Sequence, residues 1–331
     1  MGTKIGGQGY SPYSSFSTHN GDSSKDKRHL NADALGEDQY ETKLKRITDN
    51  KLDSITPGKA ELRELNFLNE QLQSAVSREL HIDGRHMIGS SVKGTMIVDP
   101  NRRDVDVMLV FNHEAHGNWL NQEQGPYNCL NRIKESLKRD TRFFGAQISI
   151  DGNAVTVKLG DRKVDIVPAF TNPNGRGFLI PETTSGMKWI KTDPRISDRV
   201  LDITDKNHNG LARPLIRIVK DWNKRNGRLL KSAHIESMVV QHFNNREPDN
   251  KKNLHAHLYE FFYRLPDYLR EDNIRDPATD ERVGGYLNQD NRDRAIASAI
   301  KARNHVARAR EVRRKSDDNE SLRSYSKLLG I

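Results

Sequence analysis

Residues 89–111 read GSSVKGTMIVDPNRRDVDVMLVF, a glycine–serine pair, a polar stretch, and an apolar run headed by Asp104 and Asp106. Side chains alternate across an extended strand, so the two acids share one face, about 7 Å apart along the backbone. Val105 and Val107 take the opposite face. Two carboxylates on one face repel each other and resist burial, which calls for a cation between them. A pair of Mg²⁺ ions about 4 Å apart meets that need, with one carboxylate bridging and another flanking. A third acid is then expected from a neighbouring strand, and KVDIVPAF (163–170) supplies Asp165 between Val164 and Ile166. Upstream, Gly89 allows the backbone to turn closely around a phosphate, and Ser90 offers it a hydroxyl and an N–H. A bare D-x-D is otherwise a solvated strand end. The Gly-Ser pair before it and the V-D-I-V strand after it favour a metal-dependent triphosphate site.

These residues need elements to hold them. Leu62, Leu65, Leu68, Leu72 and Val76 recur at helical spacing behind a Pro57-Gly58 break, so a helix is expected to run to about His81 and lead into the Gly89 turn. Strands are expected at 96–98 and 105–111, with Asp104 and Asp106 at the mouth of the second, and a helix near 128–140. A hairpin should run from AQISID through Gly152-Asn153 to AVTVKL, turn at Gly160-Asp161 and continue as 163–170. Beyond Pro173, a loop rich in Gly, Pro and Thr (172–195) precedes helices near 211–226, 232–244, 254–264 and 291–314. The last of these has Ile296, Ile300 and Val306 on one side and arginines and lysines elsewhere. The fold class is α+β. Its divisions are a flexible segment at 1–28, a catalytic lobe at 29–172, a helical lobe at 173–315 and a tail at 316–331.

Composition narrows the class without choosing a partner. The 331 residues can bury a full core. The 54 basic against 45 acidic residues leave a formal charge of +9, which favours nucleotides, nucleic acid or another polyanion. The single cysteine, Cys129, excludes a disulfide framework, suits a reducing cytoplasm and reads as a small buried hydrophobe. No apolar run approaches the ~18 residues that cross a bilayer, so a membrane partner is not expected.

Taken in order, GSSVKGT, DVDVML, VDIVPAF, GFLIPETTSGMKWIKTDP, LIRIVKDWNKR and LLKSAHIES resemble the cGAS/DncV-like nucleotidyltransferases (CD-NTases) of bacterial CBASS anti-phage signalling, within the polymerase-β-like superfamily. The resemblance covers about residues 60–305. It implies a two-lobed cyclic oligonucleotide synthase with its site in the cleft between a mixed sheet and a helical lobe. Asp104, Asp106 and Asp165 match the family's metal-binding carboxylates, and Gly89 and Ser90 its triphosphate turn. Lys220 matches a lysine that reaches the phosphates, and Ser232 a serine that touches them. On its own terms Lys220 is a solvated lysine beside Leu215, Ile218, Val219 and Trp222, and Ser232 is a helix N-cap. Both roles suit an anion. The family implies two Mg²⁺ ions, replaceable by Mn²⁺, with ATP the favoured substrate and a cyclic di- or trinucleotide the product. Asp165 is the expected proton acceptor. Relatives are switched on by partners such as HORMA-type proteins, and the basic last helix adds duplex DNA as a second partner to test. Trp189 is expected at the lobe junction rather than in the pocket.

Other motifs carry less. HEAHG (113–117) lacks the H-E-x-x-H spacing and reads as a solvated loop. His255 and His257 point apart on a helix and cannot share a metal. Walker, dinucleotide-binding and serine-hydrolase motifs are missing, as are the cysteines of a zinc ribbon. Two rival readings remain: a template-independent RNA-tailing enzyme of the CCA-adding or poly(A) type, and a non-catalytic nucleic-acid-binding protein that keeps the fold.

Overall fold

Alternation of apolar residues along 105–111 and 163–170 builds the centre of the molecule. A computed structural model describes residues 35–99, 103–160, 162–184, 186–247, 253–277 and 279–331, with Arg103 and Asp104 described by backbone alone. The expectation for 1–28 and the turn residue Asp161 lie outside the described residues.

Seven strands are described: β1 (Ile82–Ile88), β2 (Arg103–Phe111), β3 (Gln147–Asp151), β4 (Ala154–Leu159), β5 (Arg162–Thr171), β6 (Phe178–Glu182) and β7 (Lys188–Thr192). The main order is β1-β2-β5-β4-β3, and β6 extends from the end of β5 to pair with β7. β2 and β5 run parallel and the other pairs are antiparallel, so the sheet is mixed. The expected β3–β4–β5 meander is present. Both Asp104 and Asp106 lie inside β2 rather than at its mouth, because the strand starts at Arg103.

The two faces of the sheet have different fates. Val107, Leu109 and Phe111 of β2, with Val164, Ile166 and Phe170 of β5, pack on helices α2 (Lys59–Ser77) and α4 (Gly125–Arg139). Cys129 belongs to this core and is fully buried. The other face is apolar only toward its far end, where Met108, Val110, Val167 and Ala169 gather. Its near end carries Asp106 and Asp165 toward the helical half.

That half is built from α1 (Glu37–Ile55), α5 (Pro194–Asn207), α6 (Ala212–Arg225), α7 (Ser232–Asn244), α8 (Leu254–Glu271), α9 (Gln289–Arg314) and α10 (Asp318–Leu329). The short α3 (His113–His116) follows β2. Long sequence separations are bridged within the helical half: Tyr40 meets Ser321 at 2.5 Å and Thr48 meets Tyr325 at 2.7 Å. The last helix, for which the sequence reading provided no element, is therefore an integral part of the core. Among the described residues no helix is long and apolar enough to cross a membrane.

Several expected elements differ. Among the described residues, 96–98 pair with no strand; Val98 N–H donates to Ile55 O at 2.8 Å, and the stretch lies between the halves with Met96 buried and Ile97 and Val98 half-buried. The Gly89 turn is entered from β1, whose edge position and irregularity at Ile82/Gly84 blur its alternation. The expected loop at 172–195 holds the β6–β7 hairpin and the start of α5. α8 continues through Pro266 to Glu271. In α9 the buried stripe is Ala295, Ala299, Ala302, Val306, Ala309 and Val312. Small side chains let α8 and α10 approach closely, and the bulkier Ile296 and Ile300 are only half-buried.

Candidate active site

Parallel pairing sets Asp106 of β2 directly beside Asp165 of β5, one register step past Val105–Val164 and one before Val107–Ile166. Lateral neighbours in a sheet point the same way, so Val164, Val107 and Ile166 enter the α2–α4 core and Val105 packs on Leu65 of α2 and Met96, while both acids turn to the opposite face. The backbone of Asp104 pairs with Lys163 two steps back; its side chain lies outside the described residues. Asp165 accepts from Thr156 Oγ1 at 2.6 Å and from Lys163 Nζ at 2.5 Å. A cation of the chain thus already stands where the acids call for positive charge. The donors are carboxylate oxygens, the set that hard divalent ions take.

The Gly89 turn follows β1, whose last residue, Ile88, pairs with Asp106. Gly89 has φ +80° and no room for a β-carbon beside the Asp106 carboxylate. Glycine is required there twice over, by conformation and by contact. From Ser90 the chain crosses to the helical half and is gripped by one stripe of α6. Arg213 Nε donates to Lys93 O at 2.7 Å, Arg217 to Gly94 O at 2.8 Å and Lys224 Nζ to Val98 O at 3.2 Å. Lys220 completes the stripe by donating to Thr95 Oγ1 at 3.0 Å. The spacing 213, 217, 220, 224 is that of a single helix face.

Lys220 is therefore buried, against its solvated reading from sequence. Its ammonium also donates to Glu236 Oε1 at 2.7 Å, and Lys93 reaches Glu236 Oε2 at 3.1 Å. Burial pushes the Glu236 carboxyl up, but the ammonium groups of Lys220 and Lys93 prevail and hold it at about 2. Burial pushes Lys220 below the ordinary lysine range, with Glu236 and the more distant Asp106 pulling the other way. Ser232 opens α7 as its first residue. Lys231 takes the N-cap place, with no side-chain cap, so the expected capping role is not seen.

These elements enclose a cavity of about 490 Å³ whose walls include Ser90, Asp106, Asp165, Lys220 and Ser232. Gly89 adjoins it through Asp106. The walls also hold groups that sequence reasoning missed. Asp99 is buried and ion-paired to Arg228 and, at 3.4 Å, to Lys224. Asn223 braces the α6–α7 connection, its Nδ2 donating to Leu230 O at 2.8 Å and its Oδ1 accepting from Leu230 N–H at 3.0 Å. Tyr286 places its ring 4.6 Å from Lys231 Nζ and accepts from Lys231 N–H at 2.6 Å. Glu236 had a signal, since it lies four residues after Ser232 on one helix face. Tyr286 had none, because its segment lacks periodicity.

Two further expectations change and a third holds. Trp189 lies neither in the cavity nor at the lobe junction. It packs edge-on to Phe170 at 5.4 Å in the sheet core, its Nε1–H donating to Trp119 O at 3.3 Å. HEAHG forms α3, with His116 stacked on Trp119 at 4.9 Å and accepting from His81 N–H at 2.9 Å. Aromatic packing, invisible in the spacing, orders it. His255 and His257 do part: His255 pairs with Glu41 at 2.7 Å, and His257 faces His242.

Comparison with known proteins places the chain in a family and matches its fold. Residues 38–207, just over half of the chain, match the Second Messenger Oligonucleotide or Dinucleotide Synthetase (SMODS) domain. A probable cyclic nucleotide synthase of Bacillus cereus (strain VD146) is 33% identical over 171 residues, 43% of this chain and 51% of that protein. The chain thus matches about half the length of that relative. A cyclic AMP-AMP-AMP synthase of an Acinetobacter species is 25% identical over 263 residues, 78% of this chain and 73% of that one. Among solved structures, Escherichia coli CdnC in complex with a HORMA protein superposes with TM-score 0.65 at 18% identity, covering 87% of this chain and 96% of that one. The Bradyrhizobium diazoefficiens CD-NTase CdnG bound to GTP gives 0.62 at 10% identity over 87% and 98%.

Proposed function

The chain belongs to the SMODS family of CD-NTases within the polymerase-β-like superfamily, and from that premise we propose that it joins ribonucleoside triphosphates into a cyclic oligonucleotide messenger. The observation that carries this reading is the register pairing of Asp106 with Asp165 in a cavity shared with Ser90, Lys220 and Ser232. ATP is the favoured substrate and a cyclic di- or trinucleotide the product. Support comes from the relative named for cyclic AMP-AMP-AMP synthesis. Anti-phage signalling in the cytoplasm is the expected setting.

In this reading Asp104, Asp106 and Asp165 would hold two Mg²⁺ ions, which would neutralise charge and lower the pKa of an attacking ribose hydroxyl. Gly89 and Ser90 receive the triphosphate with backbone and hydroxyl donors. Lys220 adds a positive charge from α6, and Ser232 adds the start of α7, whose N–H groups favour anions. The ribose oxygen bonds to the α-phosphorus, the bond to pyrophosphate breaks, and the hydroxyl proton passes to Asp165. The Thr156 hydroxyl and Lys163 ammonium fix the Asp165 carboxylate for that step. Fixing it makes the approach close to unimolecular.

The test is direct incubation with all four labelled triphosphates and Mg²⁺ or Mn²⁺, then phosphatase, then mass spectrometry. A phosphatase-resistant product at the mass of a cyclic di- or trinucleotide supports the reading and names the bases. Labelled tails on added RNA, with no small product, would replace it with an RNA-tailing enzyme. Because the CdnC neighbour is seen with a HORMA protein, a HORMA-type protein is one activator to add. Duplex DNA is the other, and the basic α9 is its candidate surface, with binding expected to weaken as salt rises.

A further inference from the structure

Away from the cavity, α7 and α8 bring three metal-ligating side chains together under aromatic cover. His242 of α7 and His257 and Glu260 of α8 each place a donor atom within 4.8 Å of the other two. His257 and Glu260 are three residues apart on α8 and so share a face. His242 arrives from the last turn of α7. Nε2 of His242 and Nδ1 of His257 are 3.4 Å apart. Two imidazole nitrogens on a tetrahedral zinc ion are separated by about 3.3 Å, since each Zn–N bond is about 2.05 Å. The nitrogen pair already has the span of a bound ion.

The surroundings suit such an ion. His242 is 0% and His257 2% exposed, and Phe243 and Phe261 lie 4.7 Å from His257 and 5.6 Å from His242 respectively. Arg246 donates from Nε to Glu260 Oε2 at 3.1 Å and from its guanidinium to His242 O. A carboxylate has two oxygens and about four lone-pair directions, so Glu260 can bind a metal while Arg246 orients it.

We propose that His242, His257 and Glu260 form a zinc site that fastens α7 to α8. Two imidazoles and one carboxylate suit zinc, whereas the aspartate group in the cavity is an oxygen-only set that suits magnesium. The ion would fix one end of the helix whose other end delivers Ser232, Ile235 and Glu236 to the cavity and the Lys93 clamp. The proposal stands independently of the synthase reading.

The experiment loads the full chain with Zn²⁺ in excess Mg²⁺, which keeps the aspartate group occupied, dialyses it, and measures zinc by elemental mass spectrometry. One equivalent of zinc is expected in the wild type and in an Asp106→Ala, Asp165→Ala double variant. It should be lost in Glu260→Gln, which preserves shape at a half-buried position, and in His257→Gln. Zinc should raise the thermal midpoint of the wild type and leave that of Glu260→Gln unmoved. A folded wild type that retains less than about a tenth of an equivalent overturns the proposal, leaving a hydrogen-bonded histidine pair beside an Arg246–Glu260 ion pair. Retention of zinc by Glu260→Gln and His257→Gln alike overturns it too.

Discussion

A β-carbon placed on Gly89 would stand 2.1 Å from Oδ2 of Asp106, far inside any tolerable contact. The Gly89 turn and the acid on the central strand are thus one packed unit. Gly89→Ala must move the carboxylate and also place alanine at φ +80°. The backbone cost is about 1–2 kcal/mol. The cost to catalysis should be larger, at least about 100-fold in product formation, because small misplacements of reacting groups are that expensive. Thermal melting and initial rates on the same preparation check this. Activity within a few-fold of wild type would break the link between the turn and the acid.

Alanine at Asp106 or Asp165, and by the sequence pattern at Asp104, should lower product formation by about a thousand-fold or more. The fold should survive, since each change removes a member of a like-charged group, although Asp165→Ala also gives up the contacts to Thr156 and Lys163. Circular dichroism beside the product assay separates the two effects. Near-normal turnover by any of the three would remove that residue from the site.

Glu236 should be far more important to stability than an ordinary ion pair. It is buried with Lys220, Lys93 and Thr95 around it at 2.7, 3.1 and 3.1 Å. Glu236→Gln leaves the buried Lys220 ammonium without its paired carboxylate, while Lys93 keeps Asp198 at 3.3 Å, at a cost of about 3–5 kcal/mol. Removing the exposed Lys45–Asp49 pair should cost less than about 1 kcal/mol. Urea unfolding of both variants makes the comparison, and equal losses would refute it.

His234 gives a pH dependence with a definite sign. Burial among its neighbours lowers its pKa from 6.5 to about 4, with Asp272 opposing and Arg292 assisting. The folded chain keeps the imidazole neutral while the unfolded chain takes a proton, so between pH 6.5 and about 4 the unfolded state binds more. Stability from this group is complete above pH 6.5 and is lost on acidification, reaching on the order of 3 kcal/mol. Urea midpoints for wild type and His234→Gln should converge as pH falls through that window. A difference between them that stays constant with pH would exclude the effect.

The sequence by itself determined the local chemistry: acids alternating with valines on two strands, a Gly-Ser turn before them, the β3–β4–β5 meander and the apolar face of α2. Each of these is written in neighbouring residues, because alternation and helical spacing report which side of a segment meets the core. What only the tertiary structure decided are relationships across long separations. Lys220 reads as solvated on α6 until Thr95, 125 residues away, and Glu236 bury it. The stretch 96–98 has a strand's composition and, among the described residues, no strand partner. β6 and β7 read as a turn-rich loop, and α10 as a tail, until the sheet edge and α9 give each a surface to cover. His242, His257 and Glu260 converge through the packing of α7 on α8. A buried charge or a shared site has no period in the sequence, since its energy comes from partners that only the folded chain brings within a few ångströms.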